Sequence, residues 1–209
     1  MKKKHAFLLF FILVFVLIIL DQWLKIWVKT NMALHETIPV FGEWFQLYFV
    51  ENEGMAFGLS FGENIGKLIL SLFRVAISGF LIYYVINLIK KEKIDALVLS
   101  ILSLIIAGAL GNIIDSCFYG MIFSKSAVYD VATAFPAEGG YAALFYGKVV
   151  DMFYFKLFYI PKWVPFWGGL HFFPAIFNIA DSCVTVGLAG LLIFNKRIFT
   201  EKKEEEVAK

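Results

Sequence analysis

The stretch AFLLFFILVFVLIILDQWLKIWV (residues 6–28) decides the class of this chain. Residues 6–20 are all apolar, and a bilayer core requires about 20 apolar residues in a helix. The stretch therefore predicts a membrane-spanning helix. Composition agrees, because 60% of the 209 residues are hydrophobic, only 17% are charged and the mean hydropathy is +0.77. Soluble domains are usually about a quarter charged, so an ordinary soluble domain is excluded.

Three further apolar runs complete a predicted bundle of four transmembrane helices. They cover about residues 67–88, 96–117 and 174–194, and Pro174 suits the first turn of the last helix. A lysine-rich start also resembles a secretory signal peptide, but no small-residue cleavage site follows, so we expect the first span to be retained. The fold class is a mostly helical integral membrane protein, with residues 1–209 as one domain.

Lysine and arginine cluster at three places that flank the predicted spans. The clusters are residues 2–4, residues 90–93 and residues 196–203. Basic residues favour cytoplasmic loops, so both termini are predicted to be cytoplasmic, with outer segments at 30–66 and 119–173 and a cytoplasmic tail at 196–209. Because the basic residues flank spans, the net charge of +2 does not indicate a nucleic-acid partner.

The two outer segments carry different patterns. Residues 37–50 (TIPVFGEWFQLYFV) are rich in aromatic and β-branched residues and predict two short strands with a turn near Gly42. The segment 119–173 is an extended loop whose second half is aromatic, which indicates either an interfacial belt or a lid over a site. Cys117 and Cys183 are interpreted as packing residues rather than a disulfide framework.

Acidic and amide side chains recur at the outer ends of the predicted spans. They are Asp21 and Lys25, which can pair across one helical turn, Asn52, Asn112 with Asp115, Asp151, and Asn178 with Asp181. An ionisable group inside a span costs about 2.5–3.5 kcal/mol on insertion scales. Several of them at one depth indicate a site.

Paired carboxylates in a low dielectric share one proton, so one can act as a base while the other acts as an acid. This is the arrangement of aspartic peptidases, and asparagines can orient the carboxylates without adding charge. In the structural alternative these groups only cap helices and bridge spans. Two other functions also remain open, a small proton-coupled transporter and a non-catalytic membrane scaffold. A transporter requires polar groups through the whole bilayer, whereas the inner halves of these spans are almost wholly apolar.

Five motifs in order resemble the lipoprotein signal peptidases, the type II signal peptidases of bacteria. They are Asp21-Gln-Trp-Leu-Lys25, Asn52-Glu-Gly-Met-Ala-Phe57, Gly111-Asn112-Ile-Ile-Asp115, Val149-Val150-Asp151 and Phe177-Asn178-Ile-Ala-Asp181-Ser182. The resemblance implies a membrane aspartic endopeptidase that cuts prolipoproteins before a diacylglyceryl-modified cysteine.

The resemblance also implies roles for the motif residues. Asp151 and Asp181 would be catalytic, and Asp21 and Lys25 structural. The substrate-binding and supporting residues would be Asn52, Gly54, Asn112, Asp115 and Asn178. The expected protein is a monomer of the bacterial inner membrane that needs no metal or cofactor, contacts membrane lipids and is blocked by globomycin-type inhibitors.

The chain departs from the family pattern in two respects. Ser116 stands where the family usually has arginine, and the stretch between Gly120 and Val149 resembles an insertion. Arg74 occupies an unusual place for a cation inside span two. We expect it either to replace the missing arginine as a structural partner of Asp115 or Asp21, or to extend outward to lipid phosphate.

Overall fold

A computed structural model describes residues 1–53, 63–166, 168–169, 172–173 and 175–194. Its elements follow one another along the chain as five α-helices and four strands. These are α1 (Lys3–Asn31), β1 (Thr37–Phe41), β2 (Phe45–Asn52), α2 (Glu63–Lys90), α3 (Ala96–Ile114), α4 (Gly120–Ile122), β3 (Val149–Phe155), β4 (Ile176–Phe177) and α5 (Ile179–Ile193). A π-helical turn, Asp115–Tyr119, joins α3 to α4.

Three helices of the described chain are long and apolar enough to cross a membrane. They are Lys3–Asn31, Ile65–Lys90 and Ala96–Ile122, and they correspond to the first three predicted spans. The fourth span is not confirmed, because α5 has 15 residues and therefore a length of about 22 Å, against a bilayer core of about 30 Å. Its predicted start at Pro174 lies outside the described residues.

The predicted boundary of the fourth helix is wrong for a physical reason. Ile176 and Phe177 continue the apolar run, yet they form strand β4 and pair with Tyr154 and Phe153 of β3. Asn178 therefore lies between a strand and a helix rather than inside a span, and the helix begins at Ile179.

The chain divides into two compact units. The helical unit contains residues 1–21, 72–113 and 179–194 of the described chain, and the sheet unit contains Gln22–Ser71 and Ile114–Asn178. The helical unit has a buried apolar cluster formed by α1, α2, α3 and the turn that joins α2 to α3. Its members are Ala6, Phe10, Val85, Ile89, Ile94, Leu99, Leu102 and Ile106.

The sheet unit contains an antiparallel sheet with strand order β1-β2-β3-β4. The hairpin β1–β2 confirms the two strands predicted for residues 37–50, and its turn contains Gly42. The register of β2 against β3 shifts between Leu47 and Val50, beyond which Val50 pairs with Asp151 and Asn52 with Val149. Strand β3 alternates, so Val150 and Met152 enter the core of this unit and Asp151 points to the other face.

Residues 123–148, here called the lobe, follow α4 and lead into β3. Backbone hydrogen bonds fix the lobe to the end of α3 and to the end of α1, including Gly147 N–H to Ser116 C=O at 2.9 Å and Leu34 N–H to Ala127 C=O at 2.9 Å. Beyond β3 the chain exposes Trp163 and Phe166, while Trp167 lies outside the described residues. Both cysteines are buried free thiols.

Candidate active site

Asp151 lies on β3 with its carboxylate held at both oxygens. Asn178 donates its amide N–H to Oδ1 at 2.7 Å, and Asn52 donates to Oδ2 at 3.2 Å. Asp151 and Asn178 are buried. Neutral amide donors orient a carboxylate without cancelling its charge, so Asp151 is available as an acid or base in a defined position.

Strand pairing explains why these three residues meet. Asn52 pairs with Val149, which lies two residues before Asp151 on the same face of β3, so Asn52 and Asp151 are diagonal neighbours. Asn178 directly follows β4, the other neighbour of β3, and also donates to the Val150 carbonyl at 3.3 Å. The sheet therefore brings together three residues that are far apart in sequence.

Asp115 is a buried centre of polar contacts in the sheet unit. Lys25 Nζ lies 2.9 Å from Oδ2 with both side chains 0% exposed, and the Gln22 amide donates to Oδ1 at 2.9 Å. The Val150 N–H donates to Oδ2 at 3.2 Å. Asp115 thus holds the β3 backbone directly before Asp151.

Asp181 lies in the first turn of α5, in the helical unit. The Asn112 amide donates to its Oδ1 at 2.7 Å, and a carboxylate at this end of a helix also interacts favourably with the helix dipole. A cavity of about 350 Å³ opens beside it between α2, α3 and α5. Asp181, Asn112 and Arg74 form the charged and amide part of its wall, and its other lining residues include Phe73, Ile77 and Val184.

Asp21 fixes the start of α5. Its Oδ1 accepts a hydrogen bond of 2.9 Å from the Ala180 N–H, one of the amides that a helix start leaves without an intrahelical partner. Gly111 makes this contact possible, because a Cβ at position 111 would lie 2.7 Å from Asp21 Oδ2 and 3.0 Å from the Ala180 Cβ. Asp21 thus contributes a side-chain acceptor to the first turn of α5.

Arg74 lines the cavity of the helical unit and interacts electrostatically with Asp181. Lys25 is the cation whose ion pair with Asp115 is described above, so the expected pairing of Arg74 with Asp115 or Asp21 stays a prediction. The sequence did not distinguish these pairings, because both cations are near the ends of spans.

The predicted site residues thus form two sets, one in each unit. The sheet unit holds Asp151 with Asn52 and Asn178, supported by Asp115 and Lys25, and the helical unit holds Asp181 with Asn112, Arg74 and Asp21. Gly54 lies outside the described residues. The sequence analysis did not include Gln22 among the site residues, although an amide inside an apolar run could have indicated it. The Gln22 side-chain carbonyl accepts a hydrogen bond of 3.1 Å from the Tyr119 hydroxyl.

A family model described as signal peptidase (SPase) II matches residues 13–196. The chain belongs to the signal peptidase II family. The matched range contains every site residue named above, from Asp21 to Asp181. As a member of this family the chain is a membrane protease, and the transporter alternative has no support.

Curated relatives and solved structures extend this result. The lipoprotein signal peptidase of Porphyromonas gingivalis is 52% identical over 185 residues, covering 87% of this signal peptidase and 80% of the relative. The lipoprotein signal peptidase of Amoebophilus asiaticus is 37% identical over 186 residues, covering 86% and 74%.

Two solved structures, both described as a bacterial membrane enzyme, share the fold of this signal peptidase. One has a TM-score of 0.58 and 23% identity, covering 93% of this chain and 92% of that one. The other has a TM-score of 0.56 and 25% identity, covering 88% and 90%.

Proposed function

We propose that this signal peptidase II is an aspartic endopeptidase that removes signal peptides from diacylglyceryl-modified prolipoproteins. It cleaves the peptide bond before the lipidated cysteine. One observation carries the assignment of the reacting groups: Asp151 and Asp181 each accept a hydrogen bond of 2.7 Å from an asparagine amide, Asn178 and Asn112 respectively. Both carboxylates lie in the family motifs, and each of these two amide donors orients its carboxylate without adding charge.

The two carboxylates divide the chemistry of hydrolysis. The ionised one removes a proton from water as the water oxygen attacks the scissile carbonyl carbon, and the protonated one donates its proton to the carbonyl oxygen. The tetrahedral intermediate then collapses and the C–N bond breaks, while the carboxyl that took the proton from water gives it to the leaving amine of the cysteine. The other carboxylate recovers its proton from a hydroxyl of the intermediate, which becomes the carbonyl of the new carboxyl group. The signal peptide gains a carboxyl end and the lipoprotein gains a free amine. No metal or cofactor enters these steps.

The membrane arrangement follows from the charge pattern. Lysines at both ends of the chain and between α2 and α3 favour cytoplasmic termini, with α5 as a fourth span and the reacting groups at the outer face of the bacterial inner membrane. A lipidated substrate then enters from the bilayer, the enzyme acts as a monomer among membrane lipids, and globomycin-type inhibitors compete with the substrate.

The test uses purified protein in detergent and a diacylglyceryl-modified precursor, with and without globomycin. Wild-type protein is expected to release the signal peptide, and globomycin is expected to stop the release. Asp151→Asn and Asp181→Asn are expected to insert normally and to process none of the precursor. Asp130→Asn, which changes an exposed carboxylate of the lobe, is the matched control and keeps full activity. Processing by either catalytic-site variant would contradict the assignment.

A further inference from the structure

Glutamates flank Asn52 on both sides, and each is held by charged or hydroxyl partners. Glu51 Oε1 accepts hydrogen bonds from Lys29 Nζ and from the Ser126 hydroxyl, the latter at 2.7 Å. Lys29 also donates to the Ser126 hydroxyl oxygen at 3.0 Å. The side chains of Lys29 and Glu51 are buried. The contacts among Lys29, Glu51 and Ser126 therefore hold the chain in place directly before Asn52.

Glu53 is held from two directions directly after Asn52. Lys148 Nζ lies 2.8 Å from Glu53 Oε1, and Lys67 Nζ contacts Oε2. Lys148 also lies 4.0 Å from Glu51 Oε2, so it bridges both glutamates. Burial would raise the pKa of Glu53, but the hydrogen bonds from Lys148 and Lys67 outweigh it and lower that pKa.

Two of these partners, Ser126 and Lys148, belong to the lobe, whose position is itself fixed. Gly147 packs so closely on the helix end that a Cβ there would lie 2.1 Å from the Asp115 carbonyl oxygen. The Lys148 N–H donates to the Tyr141 hydroxyl at 2.7 Å. The lobe thus connects the end of β2 to the same helix end that carries Asp115.

The register of β2 against β3 explains why a contact between the lobe and the end of β2 matters for the position of Asn52. A slip of one residue would turn Asn52 to the opposite face of the sheet, and the irregularity between Leu47 and Val50 already interrupts the ladder. The Asn52–Asp151 hydrogen bond of 3.2 Å is at the long end of the normal range, so a small displacement would break it.

We propose that the lobe positions Asn52 against Asp151, with Ser126 and Lys148 as positioning residues. This inference rests on the proposed function, because it gives the lobe a role in the same reaction. Ser126 and Lys148 act through Glu51, Glu53 and the end of β2, where Asn52 contacts the Asp151 carboxylate.

The test is a double-mutant cycle on the cleavage rate. Lys148→Met and Ser126→Ala are each expected to lower kcat by up to about fivefold, the scale of a partly exposed ion pair or a single hydrogen bond, with KM little changed. In an Asn52→Ala background the same substitutions are expected to have no further effect, because the group that they position is absent. Lys148→Arg keeps the activity, and Lys125→Met, an exposed lysine of the lobe, is the control.

A second measurement does not depend on residual activity. Amide hydrogen exchange is expected to accelerate in Lys148→Met at residues 50–52 and 149–151 and to stay unchanged in Lys125→Met. Equal losses of kcat with and without Asn52, or unchanged exchange at the end of β2, would overturn the proposal. If the proposed function itself is wrong, the observation differs, because the wild-type protein would then not cleave the precursor at all.

Discussion

The amide nitrogen of Asn178 lies 2.7 Å from Oδ1 of Asp151, because Asn178 directly follows β4, which pairs with the strand that carries Asp151. Asn178 is fully buried, and it donates to the carbonyl of Val150 as well as to the carboxylate. It therefore ties the side chain of Asp151 to the backbone of the strand that carries it. This contact fixes the direction in which the carboxylate points.

Replacing Asn178 tests that contact directly. Asn178→Ala removes a buried hydrogen bond to a charged group, worth about 1.5–3 kcal/mol, so kcat is expected to fall about 10- to 100-fold. Asn178→Asp keeps the shape but places a second carboxylate beside Asp151, and the like charge is expected to move the acidic limb of the pH–rate profile to higher pH. Asn31→Ala, at an exposed asparagine of α1, is the control. An unchanged profile in Asn178→Asp would show that Asn178 does not orient the carboxylate.

The buried pair of Lys25 and Asp115 is expected to dominate the stability of the sheet unit. Lys25→Met leaves the Asp115 charge buried without its ion-pair partner, which typically costs about 3–5 kcal/mol. Asp115→Asn in addition removes that charge, so the double variant is expected to recover much of the loss. Thermal unfolding in detergent measures both. A Lys25→Met protein as stable as the wild type would contradict the role of Lys25.

Much of the architecture could be predicted from the sequence, because membrane spans and hairpins have local patterns. Long apolar runs identified three helices, and the aromatic and β-branched stretch at residues 37–50 identified β1 and β2. Strand β3 and the start of α5 were not predictable in this way. Residues 149–155 and 176–177 are strands because they pair with each other and with β2, and pairing across such distances has no local pattern.

For the site as well, the sequence indicated which residues matter but not which residues they contact. The cost of burying carboxylates and amides indicated which residues matter, since a polar residue in an apolar run is visible in the sequence. Their partners depend on tertiary contacts, so the pairing of Asp115 with Lys25 and the facing of Arg74 toward Asp181 could not be distinguished beforehand.

The ion pair of Glu53 and Lys148 predicts a dependence of stability on pH. Burial alone would lower the pKa of Lys148, but its hydrogen bond to Glu53 outweighs this and raises that pKa above 10.5, while the pKa of Glu53 is below 4.5. An acid whose pKa is lowered by folding stabilises the folded state at pH values above its pKa in the unfolded chain. A lysine whose pKa is raised by folding stabilises the folded state at pH values below its pKa in the unfolded chain. The pair therefore contributes between about pH 5 and pH 10, and its contribution is lost as pH falls through the pKa of folded Glu53.

The measurement compares the unfolding midpoints of wild-type protein and Lys148→Met. Glu53 and Lys148 are 43% and 31% exposed, so the pair is worth less than about 1 kcal/mol and the expected difference is small. The wild type is expected to be more stable at pH 7, and the difference is expected to narrow near pH 3. A difference that grows toward acid pH would contradict the assigned pair.

Arg74 can be tested separately from Lys25, because Arg74 interacts with Asp181 whereas Lys25 pairs with Asp115. Arg74 lines the cavity beside Asp181 and interacts electrostatically with that carboxylate. Arg74→Leu removes the positive charge from the cavity wall, and cleavage is expected to fall by about tenfold, equivalent to about 1.4 kcal/mol. Arg74→Lys keeps the charge and is expected to retain more activity than Arg74→Leu. Ile77→Leu, which alters the same cavity without changing its charge, is the control. If Arg74→Leu leaves both the stability and the cleavage rate unchanged, Arg74 supports neither Asp181 nor the fold and instead extends toward lipid phosphate.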